Sequence, residues 1–142
     1  MYVIFPGLAI VFNESAKLIK ITNIPFKLIG ILSFAIGVPM VLYCVSMLVK
    51  IGGGTPVPTD PPKKFVAKGL YKVSRNPIYI GNILIFLGAS LILGHLLLYV
   101  YTLLAIMFFH MYIVFFEEPD LKERFGESYK EYCKKTPRWL VK

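Results

Sequence analysis

Three stretches of the chain contain no Asp, Glu, Lys or Arg: residues 1–13, 28–49 and 76–116. A helix rising about 1.5 Å per residue needs about 20 residues to cross a hydrocarbon core of about 30 Å. The middle stretch therefore predicts one spanning helix, kinked at Pro39. The last stretch is about twice as long and predicts a crossing and a return, with Gly94-His95 as the turn and residues 77–93 and 96–116 as the legs. Strands are excluded: residues 84–93 show no polar alternation, and lipid leaves open sheet edges without hydrogen-bond partners. The first stretch is too short to cross alone and is broken by Pro6-Gly7. It lacks the basic start and small-residue cleavage site of a signal sequence, so a short or partly embedded helix, extended through residues 16–21, is expected.

Between and after these stretches the pattern becomes polar. Gly52-Gly53-Gly54-Thr55-Pro56 and the proline-rich run to Pro62 are turn and extended-chain residues. No Lys-Ser/Thr pair opens a helix after the glycines, so a loop is expected and not a phosphate cradle. Asn76-Pro77 reads as an N-cap followed by proline at the first helical position. Near the end, Leu121, Phe125, Tyr129 and Tyr132 recur at spacings of four, four and three among charged residues. That is an amphipathic helix, which either lies on the membrane surface or packs as a lid over the helix ends. The expected architecture is a single all-α polytopic membrane domain with three spans and a short N-terminal helix. Its parts are N-terminal helices over 1–49, a linker over 50–76, a helical hairpin over 77–116 and an amphipathic interfacial tail over 117–142.

Composition agrees with that architecture and sharpens it. With 56% hydrophobic and only 17% charged residues, and a mean hydropathy of +0.65, neither an ordinary soluble domain nor a disordered chain is expected. The net charge of +8 on so apolar a chain points to anionic headgroups and away from nucleic acid. Lys50, Lys63, Lys64, Lys68, Lys72 and Arg75 lie in the linker, and Lys122, Arg124, Lys130, Lys134, Lys135, Arg138 and Lys142 in the tail. Lys17, Lys20 and Lys27 remain for the opposite side, so the linker and tail are expected in the cytoplasm.

The candidate chemistry collects on that polar side. Arg75 and Tyr79 are four residues apart at a helix entry, as interfacial anchors or as parts of a site. Glu117 and Glu118 are adjacent carboxylates at a membrane boundary, where desolvation is expensive. They either stop the helix and open the next one, where Glu118-Pro119-Asp120 suits a helix N-terminus, or they bind something. His95 at the expected external turn and His110 inside the second leg read as packing or hydrogen-bonding residues. Cys44 and Cys133 read as packing residues or free thiols, and no triad or zinc spacing is present.

Gly69-Leu70-Tyr71, then Arg75-Asn76-Pro77-Ile78-Tyr79-Ile80-Gly81, then Glu117-Glu118, then Phe125-Gly126-Glu127-Ser128-Tyr129-Lys130-Glu131-Tyr132 resemble small membrane methyltransferases. These are the isoprenylcysteine carboxyl methyltransferase and phospholipid N-methyltransferase families, and the resemblance covers residues 61–138. It implies S-adenosylmethionine as donor, bound at the cytoplasmic face, and a lipid or lipidated small molecule as acceptor. Gly69, Tyr71, Asn76, Pro77, Tyr79, Glu117 and Glu118 are implied as donor-binding residues, and Arg75, Glu118 and Arg138 as the residues acting on the reacting groups. Asn76 stands where the family very often has histidine, which preserves hydrogen bonding and capping but not an imidazole proton. A prenylcysteine-type carboxyl is the expected acceptor, with a phospholipid or other lipid amine as the alternative. A non-enzymatic membrane subunit or lipid-binding scaffold is the rival from another class.

Overall fold

The structure is a computed structural model that describes residues 4–56 and 60–140. The first three residues of the uncharged N-terminal stretch, the tip of the expected loop at 57–59, and Lys142 of the basic tail lie outside the described residues. The described residues are helical: α1 (Ile4–Ser15), α2 (Ile24–Met47), α3 (Pro77–Leu93), α4 (Leu96–Tyr112) and α5 (Glu118–Lys135). Among them there is no strand, only an isolated antiparallel bridge between Lys20 and His95. A π-helical turn, Leu48–Gly52, extends α2, and another, Ile113–Glu117, joins α4 to α5. The chain divides into two compact units, Met1–Val38 with Asn82–Phe109, and Pro39–Gly81 with His110–Lys142.

In the first unit α1 stops at Ser15 and does not continue through residues 16–21 as the sequence suggested. The reason is a Schellman-type end: Leu18 N–H bonds the Asn13 carbonyl and Lys17 N–H the Glu14 carbonyl, with Lys17 left-handed at φ 51°. Asn13 is fully buried; its amide donates to the Leu18 carbonyl and accepts from Leu97 N–H, stitching the end of α1 to the start of α4. Gly94, at φ 72°, makes the tight turn between α3 and α4, and Ile21 N–H bonds its carbonyl. Ser90 and Thr102 share a buried hydrogen bond of 2.9 Å across the hairpin, so neither hydroxyl faces lipid unsatisfied.

Where α2 meets α3 in this unit, glycine stands against glycine. A Cβ on Gly30 of α2 would lie 2.8 Å from the Gly88 carbonyl, and one on Gly88 would lie 2.8 Å from the Gly30 carbonyl. Without a hydrophobic drive between helices in lipid, such small-residue contacts supply the van der Waals packing that holds helices together.

Two helical segments, Ile24–Gly52 and Leu96–Lys135, are long and apolar enough to cross a membrane, while Pro77–Leu93 is apolar but shorter. Only 17% and 28% of the apolar windows of those two segments are buried within the chain, whereas the core helix of a soluble protein is mostly buried. Leu28, Leu32, Leu42, Leu103 and Phe115 are all 60% exposed or more, an outer surface that water does not tolerate. α4 does not end at residue 116 either. The acidic pair was read as a boundary, but the backbone passes through the Ile113–Glu117 π turn directly into α5. Pro119 sits in the first turn of α5, just after the π turn.

Replacing Gly88 by leucine should destabilise the folded protein by about 1–3 kcal/mol or more through overpacking at the α2–α3 contact. SDS titration of the purified protein in mixed micelles reads this as a lower midpoint, and an unchanged midpoint would refute the contact.

Candidate functional site

All the residues implied as donor-binding or acting on the reacting groups fall in the second unit, whereas His95 falls in the first. α5 ends at Lys135, and the extended residue Thr136 (φ −115°, ψ 128°) turns the chain so that residues 136–139 run past the entry to α3. Arg75 N–H donates to the Pro137 carbonyl at 2.9 Å. The Asn76 amide donates to the Arg138 carbonyl at 3.0 Å, and the Asn76 carbonyl accepts from Ile80 N–H, as the residue preceding a helix does. Pro77 then opens α3, fully buried.

These backbone ties set two arginines against one carboxylate. Arg138 grips Glu118 through both oxygens, Nε to Oε1 at 2.8 Å and an Nη to Oε2 at 2.9 Å. Arg75 reaches the same carboxylate at 3.0 Å and donates to the Cys133 sulfur at 2.9 Å. The Glu118 side chain is only 5% exposed, and burial alone would raise its pKa. The hydrogen bond from Arg138 and the charges of Arg75 and Arg138 outweigh burial and hold the carboxyl below its usual range. Reciprocally, that hydrogen bond raises the pKa of Arg138. The neighbouring carboxylate, Glu117, takes a 2.5 Å hydrogen bond from the Tyr79 hydroxyl.

Gly126 (φ 54°, ψ −128°) kinks α5, so the expected single amphipathic helix is broken there, and aromatic residues on both sides of the kink are covered from within the unit. Phe65, in the linker, packs on Phe125, Tyr129 and Tyr132 with ring centroids 5.4, 5.8 and 5.0 Å away. Arg124 ties the same helix to the linker by donating to the Pro62 carbonyl, and lies over the Phe125 ring. The Tyr132 hydroxyl donates to the Tyr71 carbonyl. Tyr71 itself is buried with Cys44 and Val66, and burial pushes its hydroxyl far above the usual range, so it remains a donor. Gly69, left-handed at φ 57°, lies against Tyr43: a Cβ there would meet the tyrosine oxygen at 2.5 Å. Among the described residues, the Tyr71 hydroxyl and Arg75 Nε are buried donors without a partner.

Arg75, Asn76, Glu118 and Arg138 are thus joined by direct contacts and Tyr79 with Glu117 forms a separate pair, while Gly69 and Tyr71 connect to Tyr43 and Tyr132. Ser74 and Cys133 belong to this network and were not marked as site residues from the sequence. Cys133 had a signal: it lies four residues after Tyr129, on the buried side of α5. Phe65 had none, since an aromatic residue between a loop and a turn carries no periodicity.

The family profile described as phospholipid methyltransferase matches residues 26–128. The chain belongs to that family. With its two long apolar helices, it is an integral membrane protein. Among curated proteins it is similar to the Delta(14)-sterol reductase TM7SF2 of Mus musculus, 29% identical over 96 residues. That alignment covers 64% of this chain and 22% of the relative, so the chain spans about a fifth of the relative's length. No solved structure matches.

Because its pKa is lowered in the folded state, Glu118 contributes stability that is full above the unfolded value near 4.5 and is lost as pH falls through the lower, folded value. Glu118→Gln should remove that acid-side decline. It should also lower stability at pH 7 by about 2–3 kcal/mol, less than for a fully buried pair because Arg138 is partly exposed. SDS unfolding midpoints between pH 7 and pH 3.5 check both, and parallel pH profiles for wild type and variant would contradict the assignment.

Proposed function

We propose that this chain is an S-adenosylmethionine-dependent methyltransferase acting on a lipid-like acceptor at the cytoplasmic face of a membrane. The observation that carries the proposal is the convergence of Arg75 and Tyr79 on Glu118 and Glu117, at the membrane boundary and inside the segment matched by the family. In this reading α2, α3 and α4 cross the bilayer. The excess of Lys and Arg in the linker and tail holds those segments in the cytoplasm, and α5 lies at the interface with its charged face outward.

The residues present fit the donor. Glu117 accepts hydrogen bonds, from either the ribose hydroxyls or the ammonium, and Tyr79 orients it. The partnerless Arg75 Nε and Tyr71 hydroxyl are buried donors suited to the donor's carboxylate and other acceptors. Asn76, Pro77 and Gly69 contribute backbone surface beside them. S-adenosylmethionine supplies a methyl group on a sulfonium, transferred in line with loss of a neutral thioether. The protein's contribution is positioning and exclusion of water, which explains why the site contains no triad.

The acceptor we favour is a carboxyl group on a lipid, of the prenylcysteine type. An ionised carboxylate needs no base, only a cation to orient it, and Arg75 and Arg138 share a single Glu118 and so retain one positive charge in excess. A lipid amine is the alternative; it must lose a proton, which Glu117 is suited to accept through Tyr79. The mouse relative's name describes an enzyme acting on a sterol, which supports a lipid-like substrate for this chain as well. It also favours a second reading, reduction of a sterol, which requires a reductant and transfers no methyl group.

Glu117→Gln and Tyr79→Phe should each weaken S-adenosylmethionine binding about tenfold or more, the loss expected for one hydrogen bond to a charged group. Titration calorimetry in detergent measures this, and unchanged affinity in both variants would refute the donor site. Incubation with methyl-labelled donor and a total lipid extract, with a synthetic prenylcysteine alongside, should yield label. A base-labile product is an ester, a stable headgroup product is an amine, and no transfer together with consumption of a reductant is the sterol reading.

A further inference from the structure

Ser74 is 1% exposed, an unusual place for a serine with no catalytic partner. Its hydroxyl accepts from Asn76 N–H at 3.1 Å and donates to the Arg138 carbonyl at 3.1 Å. The Asn76 amide donates to that same carbonyl, and Arg75 N–H donates to the carbonyl one residue earlier, at Pro137. Residues 74–76 and 136–138 are therefore tied by three hydrogen bonds, and the Arg138 carbonyl takes two of the three. At the far end of the segment the Trp139 indole stacks on His110, with centroids 6.2 Å apart at 22°, and donates to its Nδ1 at 3.3 Å. The buried Thr136 secures the near end, its N–H bonding the Tyr132 carbonyl.

We infer that residues 136–139 form a strap that completes the site, and that Ser74 is the positioning residue that seats it. The reasoning is geometric. Arg138 is held at both ends: its carbonyl by Ser74 and Asn76, its guanidinium by Glu118. The side chains that hold its carbonyl flank Arg75, whose own N–H holds the Pro137 carbonyl, so the two guanidiniums that share Glu118 are fixed relative to each other through Ser74 and not only through the carboxylate. A hydroxyl is required there because the same atom must accept and donate at once; only serine and threonine supply that in so small a volume. With the strap released, Arg138 leaves Glu118, Arg75 alone keeps the carboxylate, and the cation available to an acceptor changes place. Ser74 touches neither donor nor acceptor; it acts through Arg138. The inference rests on the proposed donor and acceptor site, but the seating of the strap is measurable without either ligand.

The chain has a single tryptophan, Trp139, and it lies in the strap, so intrinsic fluorescence of the full chain in detergent micelles reports seating directly. Losing the Ser74 hydroxyl in Ser74→Ala should raise the open fraction of the strap about fivefold. This is read as a red shift and stronger acrylamide quenching of Trp139, and Ser74→Thr should restore the wild-type values. With donor and acceptor, Ser74→Ala should raise KM for the acceptor by a similar factor while kcat at saturation changes little, and Thr should rescue it. Quenching unchanged in Ser74→Ala, or Thr as damaging as Ala, overturns the inference. A measurement on wild type guards against a variant that does not fold: hydrogen exchange should find the Arg75 and Asn76 amides slow, and fast exchange at both overturns the inference too. Wild type that fails to bind S-adenosylmethionine but shows the expected quenching pattern would sink the proposed function and leave the strap standing.

Discussion

A single carboxylate, buried and held between two guanidiniums, is the interaction on which the second unit depends. Glu118 would be costly at this depth by itself, because burial opposes its charge. Arg138 offsets that cost through a two-point grip that matches the planar geometries of both groups, and Arg75 adds a third contact. The arrangement constrains everything around it. Arg75 must sit immediately before α3, Arg138 must be carried back by an extended segment after α5, and Glu118 must lie where α4 passes into α5. Three distant parts of the sequence are therefore fixed relative to one another by one ion cluster. Glu118 is the partner both arginines depend on, since removing it leaves two guanidiniums without their carboxylate.

The helix carrying the acidic pair explains how two neighbouring carboxylates take different partners. In the π turn Ile113–Glu117 the helix is wider by one residue per turn than an α-helix, immediately before Glu118 opens α5. Glu117 lies on one side of that change and meets Tyr79; Glu118 lies on the other and meets the arginines. The pair thus splits into a hydroxyl-bonded carboxylate and an arginine-bonded one. Arg75 and Arg138 both face Glu118, while Glu117 is held by the Tyr79 hydroxyl. Two acids of identical sequence character end with different partners.

What could be read from the sequence follows a physical division. The gaps in charge located the helices, because a charge inside lipid is expensive whatever the tertiary structure, and the Gly94 turn followed from length alone. The polar residues of the site were legible as a group, since Arg75, Asn76, Tyr79 and the acidic pair crowd the ends of apolar segments. Their pairing was not, because which arginine meets which glutamate depends on contacts between distant parts of the chain, such as Arg75 with Glu118, that no local pattern encodes. The end of α1 was misjudged because Lys17 adopts a left-handed conformation more typical of glycine. The break after Phe116 was misjudged because acids followed by proline signal a helix start, and a start joined to a preceding helix looks the same in sequence as a start after a loop. Gly30 and Gly88 were invisible for a different reason: each is an ordinary helix glycine until the other stands against it.

The Gly30–Gly88 contact and the Glu118 cluster show the two ways this chain holds helices together. Where the surroundings are apolar, burial of hydrocarbon offers little, because lipid is as apolar as leucine, and close backbone approach takes its place. At the polar ends, directional bonds are available, and they are concentrated in a few groups: Ser74, Asn76, Glu118 and the carbonyl of Arg138. A site built from such bonds is precise but conditional, since each bond is worth little alone and the geometry exists only while all persist.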